Sequence, residues 1–265
     1  MSSSPRLAVG ILAGGLGTRL SEETVVRPKP MVEIGGMPIL WHIMKIYEAH
    51  GCEDFFLALG YKGELIKEFF AQYRYRASDF TIDLGSGAIE IVKPPTEAWR
   101  VHLMDTGLRT QTGGRVKRLL ARAGRPMLLT YGDGVCNIDL DKLIAFHRQH
   151  GKAATVTAVR PPARFGELKI DQGLARTFDE KPQIGEGWIN GGFFVLEPRV
   201  ADYIEGDATV FEREPMERLA AERQLAVYEH HGFWQCMDTL RDVRQLEEMW
   251  QTGHAPWAMP GGTGR

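Results

Sequence analysis

A buried strand that runs directly into a glycine-rich turn sets the strongest constraint on how this chain folds. Residues 7–13, LAVGILA, are almost wholly apolar, and Gly14, Gly15 and Gly17 follow them at once. Glycine permits positive φ and close approach of the backbone to a ligand, so its N–H groups can point at anionic oxygens. Glycine-rich turns are also common between strands and helices where they bind no ligand. The pattern indicates the first strand of an α/β sheet, followed by a turn that suits a phosphate.

Strand-like and helix-like segments alternate after this turn. Apolar runs predict strands at 55–60 and 154–159 and a strand with its turn at 127–134, and amphipathic runs predict helices at 39–50, 64–73 and 140–150. Alternating stretches predict hairpins within 81–92 and 166–178, and the chain after 198 reads as helical with one strand near 225–229. Together these patterns favour an α/β fold: a Rossmann-like, mostly parallel mixed sheet flanked by helices, with small β-hairpin and C-terminal α/β additions.

The organisation and composition are those of one globular unit. No repeat or linker divides residues 1–265, so we expect a single domain, with a core at about 8–200 and C-terminal helices plus one strand carrying Asp238 at about 201–258. Lys and Arg total 32 against 34 Asp and Glu, and the net charge of −2 argues against partnership with nucleic acid or an anionic membrane surface. Cys52, Cys136 and Cys236 lie far apart and suit a reducing cytoplasm.

Fixed positive charge follows the glycine turn. Arg19 offers a forked cation that can bind a phosphate through two hydrogen bonds. Lys29 stands between Pro28 and Pro30, which disfavour a helix and hold the segment extended. Leu20 breaks the dinucleotide fingerprint G-x-G-x-x-G, and the Walker pattern is missing from the sequence. A phosphate site outside those two motifs is therefore predicted.

Two aspartates, far apart in sequence, are candidates for a metal. Asp133 follows an apolar strand in YGDG, and Asp238 stands between a strand-like run and a helix in FWQCMDT. Magnesium prefers a few carboxylate oxygens together with phosphate and water oxygens. The alternatives are a turn residue for Asp133 and a helix N-cap for Asp238. The residues alone leave both interpretations open.

The first stretch carries a family resemblance. LAGGLGTRL followed by RPKPM resembles the signature of the sugar-1-phosphate nucleotidyltransferases. The resemblance implies a glycine loop that holds a nucleoside triphosphate, a catalytic lysine near the α-phosphate and two aspartates that bind Mg²⁺. It implies these catalytic residues: Arg19, Lys29, Asp133 and Asp238, with the metal on Asp133 and Asp238.

A longer resemblance points to one branch of that family. The chain is similar, over roughly residues 8–257, to glucose-1-phosphate cytidylyltransferases, which share SEET, PILWHIMK, GYKG, TGGR, FHxxHGKxAT, INGGFFVL and GFWQxMDTLRD. This similarity implies transfer of a cytidylyl group from CTP to α-D-glucose 1-phosphate, giving CDP-glucose and pyrophosphate for polysaccharide synthesis, with Mg²⁺ as cofactor. It also implies a homo-oligomer. Arg27 and Cys236 depart from the residues that are frequent at their positions.

The resemblance assigns binding residues position by position. The nucleotide would meet Leu12, Ala13, Gly14, Gly15, Gly17, Thr18, Arg19, Lys29, Thr112, Gly113, Gly114, Arg115, Gly132 and Asp133. The sugar phosphate would meet Tyr131, Gly166, Glu180, Lys181, Asn190 and Gly191. Within the nucleotide set, TGGR at 112–115 resembles the segment that meets the pyrimidine. For this segment, capping of a helix by Thr112 is the simpler alternative.

Three other functions remain as alternatives. The nearest is the same chemistry with UTP, dTTP or another hexose 1-phosphate. A non-catalytic nucleotide-sugar-binding regulatory protein would be expected to lose the lysine or one aspartate, whereas Lys29, Asp133 and Asp238 are all present. A dinucleotide oxidoreductase is disfavoured by the missing fingerprint.

Overall fold

Seven strands form one mixed sheet at the centre of the molecule. They are β1 (Ala8–Ala13), β4 (Asp54–Leu59), β7 (Arg100–Asp105), β8 (Met127–Tyr131), β10 (Ala154–Val159), β13 (Ile189–Leu196) and β14 (Leu225–His230). Their order is β14-β10-β13-β8-β1-β4-β7. β13 is antiparallel to both of its neighbours, and the other adjacent pairs are parallel. The mostly parallel mixed sheet predicted from the sequence is confirmed.

The structure is a computed structural model that describes residues 7–17, 20, 24, 26–161, 167–171, 174–179 and 187–258. For the strands inside 167–179 it describes the backbone alone.

Helices cover both faces of the sheet. They are α1 (Ile39–Ala49), α2 (Gly63–Arg76), α3 (Thr112–Ala123), α4 (Leu140–His150), α5 (Glu214–Ala221) and α6 (Leu240–Gln251). Successive side chains of a strand point to opposite faces, and β1 shows the result. Val9 and Ile11 pack in the core under α1, α2, α4 and α6, whereas Ala8 and Leu12 pack in the core under α3 and α5. Burying each large aliphatic side chain contributes about 1.5–3 kcal/mol, which favours this two-sided layering.

Four short antiparallel ladders form two-stranded sheets that are separate from the central sheet. β2 (Glu33–Ile34) pairs with β3 (Met37–Pro38), and β5 (Asp79–Ile82) pairs with β6 (Ile89–Lys93). β9 (Gly134–Cys136) pairs with β15 (Trp234–Cys236), and β11 (Glu167–Asp171) pairs with β12 (Leu174–Asp179). The two hairpins predicted from alternating residues are β5–β6 and β11–β12.

The C-terminal part joins the sheet rather than standing apart from it. β14, the strand expected near 225–229, pairs in parallel with β10. A second strand, β15, precedes Asp238, so residues 201–258 contain two strands and not one. None of the helices in the described ranges combines the length and apolar character that crossing a bilayer requires.

Candidate active site

An open cleft of about 870 Å³ lies over the carboxyl ends of β1 and β8. Ligands of open α/β sheets gather at this edge. Many of the residues predicted for the site line the cleft, namely Leu12, Ala13, Gly14, Gly15, Gly17, Lys29, Thr112, Arg115, Tyr131, Gly132, Asp133 and Asp238. The fold thus brings into one place residues that are more than two hundred positions apart.

The glycine turn forms one wall of this cleft. Gly14 is buried and Gly15 is exposed, so the turn passes from the protein interior to solvent within two residues. Gly17 has φ +63°, in the left-handed region that side chains disfavour. Gly132 forms the floor next to β1, where an added Cβ atom would lie 2.9 Å from the carbonyl oxygen of Leu12. The positive φ of Gly17 and the close backbone packing at Gly132 therefore explain these two glycines without any ligand.

Lys29 lies at the centre of a three-charge cluster. It begins a short 3₁₀ turn, Lys29–Met31, after an extended Pro28, so the extended segment expected from the flanking prolines ends at Pro28. Its Nζ atom donates to Asp133 Oδ2 at 2.6 Å and to Asp238 Oδ1 at 2.6 Å. The Lys29 side chain is only 11% exposed. Two carboxylates from distant parts of the chain therefore share one ammonium group in the wall of the cleft.

The β9–β15 ladder brings the two aspartates together. Asp133 immediately precedes β9, and Asp238 follows β15 by two residues. The backbone N–H of Met237 donates to the carbonyl oxygen of Asp133 at 2.8 Å, which extends the pairing to the aspartates. The N-cap of α6 is Thr239, in a capping box with Asp242, and not Asp238. The side chain of Asp238 is thus left to the cluster, and the simple N-cap interpretation of this residue is wrong.

The electrostatics of the cluster favour a cation between the carboxylates. Burial lowers the pKa of Lys29, but the hydrogen bonds and charges of Asp133 and Asp238 outweigh it and hold that pKa above its ordinary value of 10.5. Oxygen donors from two carboxylates are what a divalent cation such as Mg²⁺ prefers. Since an ammonium already occupies the position between them, the donor set fits a small cation.

Cys236 stands beside this cluster. Burial, together with the nearby carboxylates of Asp238 and Asp133, raises the pKa of its thiol to about 12. The protonated Sγ lies 3.7 Å from Asp238 Oδ2 and can donate a weak hydrogen bond to it. The unusual residue at position 236 therefore supports the orientation of Asp238.

Tyr131 lines the cleft and contacts Asn190, where the sugar phosphate was expected. The Tyr131 hydroxyl donates to Glu212 Oε1 at 2.6 Å, and Asn190 Nδ2 donates to that hydroxyl at 3.3 Å. Burial, together with the neighbouring Glu212, raises the pKa of Tyr131, so its hydroxyl stays protonated. Gly191 leaves no room for a side chain, because an added Cβ would lie 2.6 Å from Val159 Cγ1.

The TGGR segment opens α3 but is not capped as expected. The N-cap is Gln111 and makes no side-chain cap, so capping by Thr112 is wrong. Thr112 Oγ1 instead donates to Glu212 Oε2 at 2.5 Å and accepts from the backbone N–H of Phe211 at 2.9 Å. Added Cβ atoms on Gly113 and Gly114 would lie 2.6 Å from the Thr209 carbonyl oxygen and 2.8 Å from Asp207 Cα. These two glycines therefore accommodate the chain at 207–209, and contact with a pyrimidine stays a prediction.

Five predicted residues fall outside the described part of the chain, and the cleft adds others. Thr18, Arg19, Gly166, Glu180 and Lys181 are not described. The sequence reasoning missed Glu212, which accepts hydrogen bonds from Tyr131 and Thr112, and the 108–111 segment that lines the cleft before TGGR. A scan of the positions that flank TGGR would have found the segment, whereas no local signal marks Glu212.

The comparisons with known proteins agree with this geometry. Residues 8–252 match the Nucleotidyl transferase family. This chain therefore belongs to the nucleotidyl transferase family, as the sequence motifs predicted, and is an enzyme of that class.

Within the family, the similarity to one kind of enzyme is strong. The chain is 54% identical over 249 residues to the glucose-1-phosphate cytidylyltransferase of Salmonella typhi, covering 93% of this chain and 97% of that protein. It is 31% identical to the mannose-1-phosphate guanylyltransferase catalytic subunit beta of Drosophila pseudoobscura, covering 88% and 61%. The crystal structure of HddC from Yersinia pseudotuberculosis complexed with GMP-PN has a TM-score of 0.67 at 23% identity, covers 92% of this chain and 100% of that one, and shows the shared fold.

Proposed function

We propose that this enzyme transfers a cytidylyl group from CTP to α-D-glucose 1-phosphate, forming CDP-glucose and pyrophosphate. The observation that carries the proposal is the Lys29–Asp133–Asp238 cluster beside the glycine turn, in an open cleft of about 870 Å³. The 54% identity to a glucose-1-phosphate cytidylyltransferase supports CTP and glucose 1-phosphate as the particular substrates.

The chemical problem in this reaction is repulsion between two anions. The second pKa of a phosphate monoester is about 6, so glucose 1-phosphate is already a nucleophilic dianion at neutral pH and needs no general base. It must approach the α-phosphate of CTP in line with the departing pyrophosphate. Positioning and charge neutralisation therefore supply most of the catalysis.

The residues of the cluster divide this task. We assign the divalent cation, Mg²⁺, to the carboxylates of Asp133 and Asp238, where it supplies positive charge to the reacting phosphates when bound. Lys29 then turns its N–H donors from the carboxylates to the α-phosphate. Gly14, Gly15 and Gly17 present backbone N–H groups to the departing pyrophosphate.

The remaining roles rest on the family resemblance. Thr18 and Arg19 hold the triphosphate, and Lys181 neutralises the sugar phosphate. Glu180 accepts hydrogen bonds from the sugar hydroxyls, and Asn190 and Gly191 lie beside the sugar ring. Tyr131 fits this role, because its hydroxyl donates to Glu212, accepts from Asn190 and so links Asn190 to the cleft.

A nucleotide panel tests the proposal. Pyrophosphate release is measured for CTP, UTP, dTTP, ATP and GTP with glucose 1-phosphate and Mg²⁺, and we expect turnover with CTP. Failure to release pyrophosphate from CTP overturns the proposed reaction, and a clear preference for another nucleotide replaces CTP by that nucleotide.

Two variants test the assigned roles. We expect Lys29→Ala and Asp133→Asn to lower turnover at least ~100-fold, since each removes a preorganised charge from the reacting phosphates. Asp141→Asn is the matched control, because Asp141 is an exposed aspartate in the first turn of α4. Near-normal turnover of a folded Lys29→Ala or Asp133→Asn protein at saturating substrate contradicts the role of that residue.

We also propose a homo-oligomer that works in the cytoplasm. The hairpin β5–β6 supports association, because it exposes the apolar side chains of Phe80, Ile82, Leu84, Ile89 and Val92. The three cysteines are free thiols, which suits a reducing compartment. Light scattering of the purified protein tests the first statement, and fractionation of the native cells tests the second.

A further inference from the structure

Arg115 lies beneath the glycine turn and lines the cleft, although it is almost wholly buried. It belongs to the first turn of α3 and is 4% exposed. Its Nη1 atom donates to the carbonyl oxygen of Leu59 at 2.7 Å and to Thr106 Oγ1, and its Nη2 atom donates to the carbonyl oxygen of Gly14 at 3.1 Å. The guanidinium thus joins the end of β4 to the glycine turn that follows β1.

Two glycines make room for this side chain. A Cβ atom added to Gly14 would lie 2.2 Å from Nη1 of Arg115, and one added to Gly60 would lie 2.6 Å from Nη2. Contacts that short are impossible without displacing the guanidinium. The absence of side chains at Gly14 and Gly60 is therefore explained by Arg115.

The charge of Arg115 has no carboxylate partner of its own. Its hydrogen bonds go to two carbonyls and one hydroxyl, and in the described ranges no ion pair joins it to an acidic side chain. Burial, followed by the charge of Arg118, lowers the pKa of this guanidinium, while the charges of Asp105 and Asp207 act in the opposite sense. A buried cation bonded only to neutral groups is costly unless an anion approaches it.

The hydrogen bond to Gly14 also sets the direction of a peptide group. The Gly14 carbonyl accepts from Arg115 and from the backbone N–H of Tyr61, at 3.1 Å and 3.2 Å, and so points into the protein. In a trans peptide, the N–H points opposite to the C=O of the same unit. The N–H of Gly15 is therefore directed away from Arg115, on the side where Gly15 is exposed to the cleft.

We propose that Arg115 is a positioning residue for the phosphate end of the nucleotide, which orients the Gly15 N–H toward the pyrophosphate group and places an unpaired positive charge beneath it. This inference rests on the proposed function, in which the glycine turn holds the departing pyrophosphate. It gives Arg115 a task different from the pyrimidine contact that the TGGR resemblance implies.

Pyrophosphate itself is the probe that separates these two tasks, because it carries no base. Its binding with Mg²⁺ is measured by calorimetry for the wild type, Arg115→Met and Arg115→Lys. We expect the dissociation constant for pyrophosphate to rise at least ~10-fold in Arg115→Met, since hydrogen bonds that involve a charged group are lost. The dissociation constant of Arg115→Lys should lie between those of the wild type and Arg115→Met. An ammonium keeps the charge but cannot hydrogen-bond to both Leu59 and Gly14.

Arg118→Met is the matched control. Arg118 lies on the same helix, its side chain is 40% exposed, and it pairs with Asp207. Pyrophosphate binding should be unchanged in this variant. The KM for glucose 1-phosphate should change much less than the KM for CTP in Arg115→Lys.

Unchanged pyrophosphate binding in a folded Arg115→Met protein overturns the inference. If that variant fails to fold, unchanged binding in Arg115→Lys overturns it equally. Failure of the proposed function is distinguishable, since it shows as absent pyrophosphate release from CTP in the wild type.

Discussion

At the scale of single residues, the site is defined by how Lys29 balances two negative charges. Its ammonium is the shared partner of Asp133 and Asp238, whose side chains are 29% and 17% exposed. Removing one member of such a cluster leaves the others facing each other in a partly desolvated place. The energetic consequence is moderated by solvent screening, because neither carboxylate is fully buried.

Lys29→Met should therefore destabilise the metal-free protein and make it respond more strongly to Mg²⁺. We expect a loss of about 1–2 kcal/mol of unfolding free energy, since the two carboxylates then repel each other without a cation. Added Mg²⁺ should restore stability in Lys29→Met and raise its Tm more than that of the wild type. Thermal unfolding with Mg²⁺ or EDTA measures this, and equal Mg²⁺ shifts in both proteins would contradict the shared-cation description.

Neighbouring glycines in the turn should respond differently to the same substitution. Gly14→Ala places a Cβ atom 2.2 Å from Arg115 Nη1 and 2.9 Å from the backbone nitrogen of Gly60, whereas Gly15→Ala meets nothing within 4 Å. We expect Gly14→Ala to cost about 1–3 kcal/mol of stability and Gly15→Ala to change it little. Urea unfolding of both variants measures the difference. Equal stability of the two would mean that the guanidinium moves aside freely.

At the scale of elements, His42 holds α1 against two other parts of the chain. Its Nε2 atom donates to the carbonyl oxygen of Ile34 in β2 at 2.8 Å, and its Nδ1 atom accepts from Trp257 Nε1 at 3.4 Å. Both ring nitrogens are thus used by the neutral imidazole. Burial lowers the pKa of His42 to about 4, although Ile34 and Glu247 act in the opposite sense.

This depressed pKa predicts a loss of stability in mild acid. The stabilisation is complete above the unfolded pKa of about 6.5 and is lost as pH falls toward 4, because the unfolded state binds the proton first. The lowered pKa of His42 corresponds to a loss of about 3 kcal/mol of unfolding free energy between pH 7 and pH 4. We expect urea unfolding free energies between pH 7 and 4 to fall less steeply in His42→Gln than in the wild type.

Some slope should remain in that variant, since burial also lowers the pKa values of His147, His150 and His230. Parallel curves for the wild type and His42→Gln would show that His42 does not titrate in this way.

Sequence patterns predict the helices and strands better than the contacts between them. The strand at 154–159 and the helix at 140–150 occur at those positions, because periodicity and a glycine stop are local signals. The α2 helix extends three residues beyond its predicted end, to Arg76. The edge strand β7 was not predicted, because its burial is only partial and shows no clear alternation.

The geometry of the site was also hard to predict, because it depends on contacts between distant segments. The residue types of Lys29, Asp133 and Asp238 indicate phosphate and metal chemistry, but their convergence depends on β9 and β15, which are three residues each and about one hundred positions apart. Strands so short carry no readable period. Glu212 and the buried course of Arg115 were likewise invisible, because both depend on packing between segments that are distant in sequence.

At the scale of the whole molecule, the C-terminal part is built into the same core as the rest. β14 pairs with all six residues of β10, and Leu246 of α6 and Trp257 pack in one cluster with Val9 and Ile11 of β1. Asp238 closes the ion cluster with Lys29. These links support the proposal that residues 1–265 form a single domain.

A single domain should unfold in one step, and the tryptophans can report it. Three of the six tryptophans, Trp234, Trp250 and Trp257, lie within residues 201–258, so a Trp41→Phe/Trp99→Phe/Trp188→Phe protein confines fluorescence to the C-terminal part. Its urea transition should coincide with that of far-UV circular dichroism, which reports the whole chain. Leu246→Ala, at a fully buried position, should then move both transitions together by about 2–5 kcal/mol. If only the fluorescence transition moved, residues 201–258 would be an independent unit, and Asp238 would reach the site by docking of one unit on another rather than by continuous folding.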